Sequence, residues 1–177
     1  MRVVAGRLGG RRLAAPAGAG TRPTSDRVRE ALFSLLGPVE DARVLDLFAG
    51  SGALGIEALS RGAAEATFVD SAPAAVRAIR DNLAALGLEA EVRRSDARAF
   101  LRAARRDRRQ YDLVFLDPPY RLAGRLGPEL TAALGDLLAP DGLVVAESDR
   151  RVPLEVDLPL EDERRYGDTL IRIHGPR

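Results

Sequence analysis

The chain of 177 residues is expected to fold as one doubly wound, mostly parallel α/β domain. From residue 42 onwards, apolar segments of strand length alternate with segments of helical periodicity, which indicates parallel strands joined by right-handed crossovers. The segment Leu113–Leu116 is apolar without interruption, as expected where helices cover both faces of a sheet. A glycine-rich turn follows the first of these strands, and such turns bring ligands close to the backbone.

Composition narrows the class of protein. No apolar run is long enough to cross a membrane and no signal-peptide core follows Met1, so we expect a cytoplasmic protein. Cysteine is absent and His174 is the single histidine, which excludes a thiol nucleophile and a metal site built from cysteine or histidine. We therefore expect no metal.

Positive charge is concentrated at the N-terminus. Residues 1–29 contain seven arginines and one acid, Asp26, a local charge of +6 that leaves −5 for the remaining residues. A solvated tail is the alternative, but clustered guanidinium groups suit phosphates both electrostatically and through paired hydrogen bonds. The candidate nucleic-acid-binding residues are Arg2, Arg7, Arg11, Arg12, Arg22 and Arg27.

Two segments of unequal length are predicted. Residues 1–21 form a basic N-terminal arm, either a small hairpin or an extended segment, and residues 22–177 form the single domain. Gly9, Gly10 and the Ala/Gly/Pro linker over residues 14–21 predict that the arm is mobile when free.

The first helix is expected to begin after Ser25, a suitable N-cap, and to end at Gly37-Pro38. Its apolar residues recur at helical spacing and are Val28, Ala31, Leu32, Leu35 and Leu36. This spacing turns one face of the helix to the core and leaves Arg27 and Arg29 outside.

Alternating strands and helices follow. The predicted strands lie at 43–48, 65–70, 90–94, 111–116 and 142–148, and the predicted helices at 53–61, 73–86, 96–107 and 123–138. The strand-like segments 163–166 and 169–174 are joined by Gly167-Asp168, which is typical of a hairpin. At least one antiparallel strand should therefore close the sheet.

Gly50, Gly52 and Gly55 form a G-x-G-x-x-G turn between the first strand and its helix. Glycine at these places lets the backbone approach a ligand and lets the helix pack closely on the strand. By itself the pattern suits several nucleotide cofactors.

Acids follow three successive strands and should meet at the carboxyl edge of the sheet. They are Asp46, Asp70 and Asp96. Asp70 is placed to accept hydrogen bonds from ribose hydroxyls. Asp96 fits contact with an adenine amine and equally fits a plain helix N-cap.

The motif Asp117-Pro118-Pro119-Tyr120 ends the fourth strand and should face the same edge. The Asp117 carboxylate and the Pro118 carbonyl can each accept one N–H of a planar exocyclic amine. These two bonds push the nitrogen toward a tetrahedral shape, so that its lone pair points at the methyl group. Tyr120 can stack on the base, a contact worth about 1–3 kcal/mol. A turn that merely stops the strand is the alternative. With the glycine turn upstream, the motif favours methyl transfer from S-adenosylmethionine.

Three segments carry a resemblance to a known family. They are residues 22–33, residues 45–62 and the Asp117–Tyr120 motif, and the glycine-rich arm and Tyr166–Thr169 are also similar. Together they resemble the bacterial 16S ribosomal RNA guanine-N2 methyltransferases, which are class I S-adenosylmethionine-dependent enzymes. The first two segments are far more specific than the Pro-Pro motif.

The resemblance implies a seven-stranded Rossmann-like fold, the cofactor S-adenosylmethionine, and methylation of one guanine N2 in the assembled small ribosomal subunit. It implies a monomer that needs neither metal nor membrane. The implied cofactor-binding residues are Thr24, Asp46, Phe48, Ala49, Gly50, Ser51, Gly52, Asp70, Ser71, Asp96 and Ala97. The implied catalytic residues are Asp117, Pro118, Pro119 and Tyr120.

Two rival functions remain at this point. A DNA or protein-glutamine amino-methyltransferase is one, because the Asp-Pro-Pro-Tyr motif does not name the amine. The other is a non-catalytic ribosome-assembly factor that binds RNA through its basic arm. Intact Gly50, Gly52, Asp70 and Asp117 argue against the second rival.

Overall fold

The computed structural model describes residues 1–18, 24–119, 130 and 132–175. Its strands are β1 (Arg43–Leu47), β2 (Glu65–Asp70), β3 (Glu91–Arg94), β4 (Tyr111–Leu116), β5 (Leu138–Asp149), β6 (Leu160–Tyr166) and β7 (Thr169–His174). Its helices are α1 (Asp26–Leu36), α2 (Ala53–Ser60), α3 (Pro73–Leu86) and α4 (Ala97–Arg106), and a 3-10 turn spans Gly6–Leu8.

The strands form one seven-stranded sheet in the order β3-β2-β1-β4-β5-β7-β6. Strands β1 to β5 pair in parallel, whereas β7 lies antiparallel between β5 and β6. The predicted fold class is therefore confirmed, including the antiparallel C-terminal hairpin. The order reverses between β1 and β4, and crevices at such points are where open α/β sheets bind ligands.

Helices cover both faces of the sheet, and each face has its own apolar core. On one face α1, α2 and α3 pack around residues such as Phe33, Phe68 and Ile79, together with Val3 of the arm. On the other face α4 and residue Leu130 pack against the apolar side chains of β1 and β4. This two-sided burial explains why β4 reads as an uninterrupted apolar run.

Helix α1 begins as expected, but its arginines do not both face outwards. The Ser25 hydroxyl accepts a hydrogen bond from the Val28 amide at 3.3 Å, so the predicted N-cap is confirmed. Arg27 is exposed, whereas the side chain of Arg29 is fully buried. The expectation that Arg29 lies outside is wrong.

Two interactions hold Arg29 inside. Its Nη2 donates to the Asp26 carboxylate at 2.7 Å and to the main-chain carbonyl of Arg2. Burial lowers the pKa of Arg29, and the charges of Asp26 and Glu57 oppose that effect. Residues 29, 32 and 33 share one buried helix face, which a charged side chain joins only when it is paired.

Residues 1–14 form a hairpin that is docked on the domain, although their glycines predict an arm that is mobile when free. Arg2 and Arg12 pair as an antiparallel bridge, and the Val3 side chain is buried. The amides of Val4 and Ala5 donate to the buried Glu57 carboxylate at 2.7 and 3.0 Å. The arm is thus bonded to α2, the helix that begins at the glycine turn.

The helix predicted over residues 123–138 is only partly within the described part of the chain. Residue 130 and residues 132–134 are helical, but a turn follows and β5 begins at Leu138. The predicted end of this helix and the predicted strand start at 142 are wrong. Tyr111 pairs with Leu138 and the register then shifts, so the Pro-Asp-Gly sequence at 140–142 is accommodated within an irregular strand.

Candidate active site

A cavity of about 340 Å³ opens at the carboxyl edge of the sheet, beyond the ends of the neighbouring strands β1 and β4 where the strand order reverses. The sequence-predicted residues that line it are Thr24, Asp46, Phe48, Ala49, Gly50, Ser51, Asp70, Ser71, Asp96, Ala97, Asp117, Pro118 and Pro119. Gly52 does not line the cavity but caps the first turn of α2. Tyr120 lies outside the described residues. The structure therefore brings the glycine turn and the Pro-Pro motif to one place.

The glycine turn is shaped by left-handed backbone and a close helix contact. Gly52 has a φ of 78°, and Phe48, although not glycine, has a φ of 72°. A Cβ built on Gly55 would lie 2.4 Å from the Phe68 ring, so α2 approaches β2 more closely than alanine allows. The Gly55 amide donates to Asp46 Oδ2 at 3.0 Å, which ties the strand end to the helix start.

Asp70 joins the end of β2 to the glycine turn. Its Oδ2 accepts from the Gly50 amide and its Oδ1 from the Ala72 amide, both at 2.9 Å. Each carboxylate oxygen has a second lone pair, so these bonds leave acceptor capacity toward the cavity. The geometry is compatible with binding of ribose hydroxyls.

Asp96 serves as the N-cap of α4. Its Oδ1 accepts from the Arg98 and Ala99 amides at 3.0 and 3.3 Å, so the capping interpretation is confirmed. The residue also lines the cavity. Because the cap uses one of its two oxygens, the capping role does not exclude a ligand contact.

Asp117 directly follows β4 and lies beside the glycine turn. Leu116 pairs with Leu47, so the next residues, Asp117 and Phe48, are level at the cavity. Burial raises the pKa of Asp117 well above its usual value, and the charges of Glu147 and Asp46 raise it further. Pro118 is buried and Pro119 is exposed at the rim.

Sequence reasoning missed several lining residues: Met1, Ala15, Pro16, Ala53, Leu54, Val69, Ser95 and Glu147. Among these side chains, Glu147 is the one that carries a carboxyl group. It follows the apolar run Val144–Ala146 in the strand next to β4, the same signal that identified Asp70. No local sequence pattern indicates Met1, Ala15 and Pro16, because they reach the cavity only through the docking of the arm.

One buried side chain connects the arm to the glycine turn. Asn82 of α3 accepts from the Ala14 amide at 2.8 Å and donates to the carbonyls of Ala14 and Ser51, both at 3.0 Å. The arm and the cavity wall are therefore held by the same amide group.

The cavity is acidic. Burial raises the pKa of Asp46 to about 7, its bond from Gly55 partly offsets this, and the charge of Asp70 adds to it. Glu147 is buried and Asp117 is half-buried, and no arginine or histidine side chain is among the described lining residues. Such a site favours a cationic ligand over a pyrophosphate.

Neither a metal site nor a membrane-spanning helix is found in the described part of the chain. It contains no group of three or more His, Asp or Glu side chains placed to hold a metal ion. None of its helices has the length and apolar character needed to span a membrane.

The predicted nucleic-acid-binding arginines are found on the surface where they are described. Arg2, Arg7, Arg11, Arg12 and Arg27 are exposed, and Arg22 lies outside the described residues. Arg2 approaches Asp26 at 3.4 Å and Arg11 donates to the Ala85 carbonyl at 3.1 Å. The docked hairpin thus presents a basic surface close to the cavity that its own residues help to line.

Comparison with known proteins gives the family. Residues 1–175 match the family model described as Conserved hypothetical protein 95. YlbH of Bacillus subtilis is 44% identical over 184 residues, which span the whole of both chains. The Ribosomal RNA small subunit methyltransferase D of Escherichia coli is 44% identical over 153 residues, covering 84% of this chain and 75% of that relative.

Solved structures of similar proteins support the same family assignment. The structure of yhhF from Escherichia coli matches 100% of this chain and 98% of its own with a TM-score of 0.85 and 39% sequence identity. That of TTHA0928 from Thermus thermophilus matches 98% of both chains with a TM-score of 0.83 and 34% identity. The chain therefore belongs to the Conserved hypothetical protein 95 family, together with the Ribosomal RNA small subunit methyltransferase D of Escherichia coli.

Proposed function

We propose that this protein transfers a methyl group from S-adenosylmethionine to the exocyclic N2 of a guanine in 16S ribosomal RNA, within the small ribosomal subunit. Methylation of small-subunit ribosomal RNA follows from family membership. The observation that supports the choice of an exocyclic amine is that Asp117, Pro118 and the glycine turn line one cavity.

The residues around the cavity suit S-adenosylmethionine. Its ammonium and sulfonium groups are cations, and the buried carboxyl of Asp46 lies beside the glycine turn in the cavity lining. We assign the methionine part to the turn at Gly50 and Ser51, the ribose to Asp70 and the adenine to Asp96. When bound, the cofactor supplies an electrophilic methyl group.

The chain itself holds the amine and receives its proton. Asp117 and the carbonyl of Pro118 accept the two N–H bonds, and the proline rings fix the backbone between them. Positioning the nitrogen in line with the methyl group supplies much of the rate. The amine loses one proton on transfer, and the raised pKa of Asp117 suits its carboxylate to accept it. Tyr120 completes this site in our proposal by stacking on the base.

The basic hairpin supports the choice of RNA as substrate. Its exposed arginines, including Arg7 and Arg12, lie on the arm whose residues Met1 and Pro16 line the cavity. Phosphates bound there would place a base at the cavity mouth, and a base in folded RNA must be unstacked before it enters. We propose that a monomer acts on the subunit in the cytoplasm.

The test is methyl transfer from labelled S-adenosylmethionine to small subunits that lack the modification, followed by nucleoside analysis. We expect N2-methylguanine at one position. Asp117→Ala should lower the rate by about 10²-fold or more, while calorimetry finds cofactor binding retained. The exposed acid Glu89 offers a control, and Glu89→Gln should match the wild-type rate.

Three outcomes would contradict the proposal. They are the absence of transfer to any guanine N2 by folded protein, transfer to duplex DNA or a glutamine peptide but not to small subunits, and full activity of Asp117→Ala. A chain that binds small subunits but not S-adenosylmethionine would instead be a non-catalytic assembly factor.

A further inference from the structure

Glu147 lies beside Asp117 in the lining of the cavity. Leu116 of β4 pairs with Ala146 of β5, so the two acids that follow them are level in adjacent parallel strands. Both line the cavity, and the charge of Glu147 raises the pKa of Asp117. A ligand group that binds to Asp117 therefore also lies close to Glu147.

The Glu147 carboxylate is buried with only part of its hydrogen-bonding capacity used. The residue is 9% exposed, and its Oε2 accepts from the Thr24 hydroxyl at 2.7 Å. Its Oε1 has no hydrogen-bond partner among the described residues. This oxygen is not sealed from solvent and is therefore open to the cavity. Burial of the carboxyl group disfavours its charged form and raises the pKa of Glu147, an effect that the Thr24 bond opposes. The cavity therefore contains an acceptor that a ligand donor would satisfy.

Thr24 fixes the orientation of this carboxylate. It directly precedes Ser25, the N-cap of α1, so the start of that helix holds the threonine in place. Its hydroxyl reaches Glu147 across 123 positions of sequence, and Thr24 itself lines the cavity. The bond leaves Oε1 as the oxygen available to a ligand.

The hydrogen-bond pattern of guanine matches this arrangement. Its Watson–Crick edge presents N1–H next to the N2 amine, which gives three hydrogens in a row. Asp117 and the Pro118 carbonyl take the two amine hydrogens in the proposed function, and one acceptor beside them is then needed for N1–H. Adenine and cytosine present a ring-nitrogen lone pair beside their amines, which a carboxylate would repel.

We propose that Glu147 is the specificity-determining residue that accepts the N1–H of the target guanine, and that Thr24 is its positioning residue. The inference rests on the proposed function, since it takes the N2 amine to lie at Asp117. Sites built to hydrogen-bond one edge discriminate strongly against analogues that lack the matching group. Guanine would thus be selected over other amine-bearing bases by a pair of neighbouring acids.

The test compares guanine with 2-aminopurine at the target position of reconstituted small subunits. 2-Aminopurine keeps the N2 amine, but its N1 carries a lone pair instead of a hydrogen. We expect wild-type protein to methylate the guanine subunits with the higher kcat/KM. Glu147→Gln provides an amide that can donate to N1, and it should shift the guanine to 2-aminopurine ratio at least about tenfold toward 2-aminopurine.

Controls separate base recognition from general damage. Ser148 follows Glu147 in β5 and faces the opposite side of the strand, so Ser148→Ala should keep the wild-type ratio. Thr24→Val removes the positioning hydroxyl and should reduce discrimination while keeping the carboxylate. Calorimetry should find S-adenosylmethionine binding by Glu147→Gln within about twofold of wild type, since the ligand contact concerns the base.

Each outcome bears on one of the two proposals. Wild-type protein that methylates no guanine overturns the proposed function. If active wild-type protein methylates 2-aminopurine and guanine subunits with equal kcat/KM, the role of Glu147 is overturned, whatever the variants do. So does a guanine to 2-aminopurine ratio that Glu147→Gln leaves unchanged.

Discussion

Asp46 shows how one buried carboxyl serves the site at a cost to the fold. It lies near the end of β1, is almost wholly buried, and accepts a hydrogen bond from the Gly55 amide. Its pKa of about 7 means that burial favours the neutral acid in the protein without cofactor. A cation in the cavity would favour the charged form instead, so the residue links ligand charge to stability.

The sign of this link can be measured. The native pKa of Asp46 lies above the unfolded one, so native protein binds more protons between about pH 4 and 7 and loses stability as pH rises through that window. Asp46→Asn removes the ionisation. We expect the variant to gain stability over wild type by about 1.4 kcal/mol per pH unit within the window, and to keep that gain at pH 8.

Urea unfolding of cofactor-free protein at several pH values would test this expectation. The difference between Asp46→Asn and wild type should shrink toward zero as the pH approaches about 4. Asp81 is an exposed acid on α3, and Asp81→Asn should follow the wild-type profile. A loss of stability in Asp46→Asn that is equal at every pH would refute the assignment.

At the scale of single residues, sequence reasoning worked where local chemistry decides and failed where the tertiary environment does. The N-caps Ser25 and Asp96 could be identified because capping needs only a side chain and the following amides. Arg29 was placed outside because its charge is visible in the sequence, whereas its partners on the arm are not. Glu147 was missed because its strand continues past the cavity edge to pair with β7.

At the scale of elements, the N-terminal hairpin is the largest departure from expectation. Its composition reads as a flexible linker, yet its backbone is bonded to Glu57 and Ser60 of α2 and to Asn82 of α3. Those partners are separated from it by more than 50 positions, so no local pattern reveals them. Strands β1 to β4 and helices α1 to α4, by contrast, are set by periodicity and were predicted within a few residues.

Two glycines of the hairpin provide a matched test of its docking. Gly6 and Gly10 have φ angles of +78° and +84°, so alanine is strained at both by about 1–2 kcal/mol. A Cβ on Gly6 would lie 2.0 Å from the Ser60 carbonyl oxygen, whereas one on Gly10 would meet nothing within 4 Å. Gly6→Ala should therefore undock the hairpin, and Gly10→Ala should leave it docked.

Amide hydrogen exchange would distinguish the two variants. In wild-type protein the Val4 and Ala5 amides should be protected, because both donate to Glu57. Protection at these amides should be lost in Gly6→Ala and kept in Gly10→Ala. Equal loss in both variants, or no protection in wild type, would restore the mobile arm that the sequence suggests.

At the scale of the whole molecule, charge is divided between two regions. The cavity is lined by buried acids, and the hairpin beside it presents exposed arginines such as Arg7 and Arg12. A second basic cluster lies at the end of α4 and consists of Arg102, Arg105, Arg106, Arg108 and Arg109. Acids pair with part of it: Arg109 with Glu91 at 2.6 Å, Arg105 with Asp136, and Arg106 with Asp107 at 3.5 Å. The hairpin is therefore the better candidate for phosphate contacts.

Salt dependence would separate the two clusters. Replacing Arg7 and Arg12 together by glutamine should weaken binding to small subunits and reduce the slope of log affinity against log salt by about one per lost phosphate contact. The matched control replaces Arg102 and Arg106, two exposed arginines of α4. Binding measured over a range of salt concentrations should change little in the control, and an equal loss there would contradict the assignment.

The order of the sheet also has a consequence for synthesis. Strand β7 follows β6 along the chain but lies between β5 and β6, and β6 pairs with no other strand among the described residues. Because β7 is made after β6, β6 has no partner and the edge of β5 stays open until residues 169–174 pair with both strands. Unpaired strand edges are prone to aggregation. A chain released before residue 169 should consequently engage chaperones, whereas one that contains β7 can close its sheet.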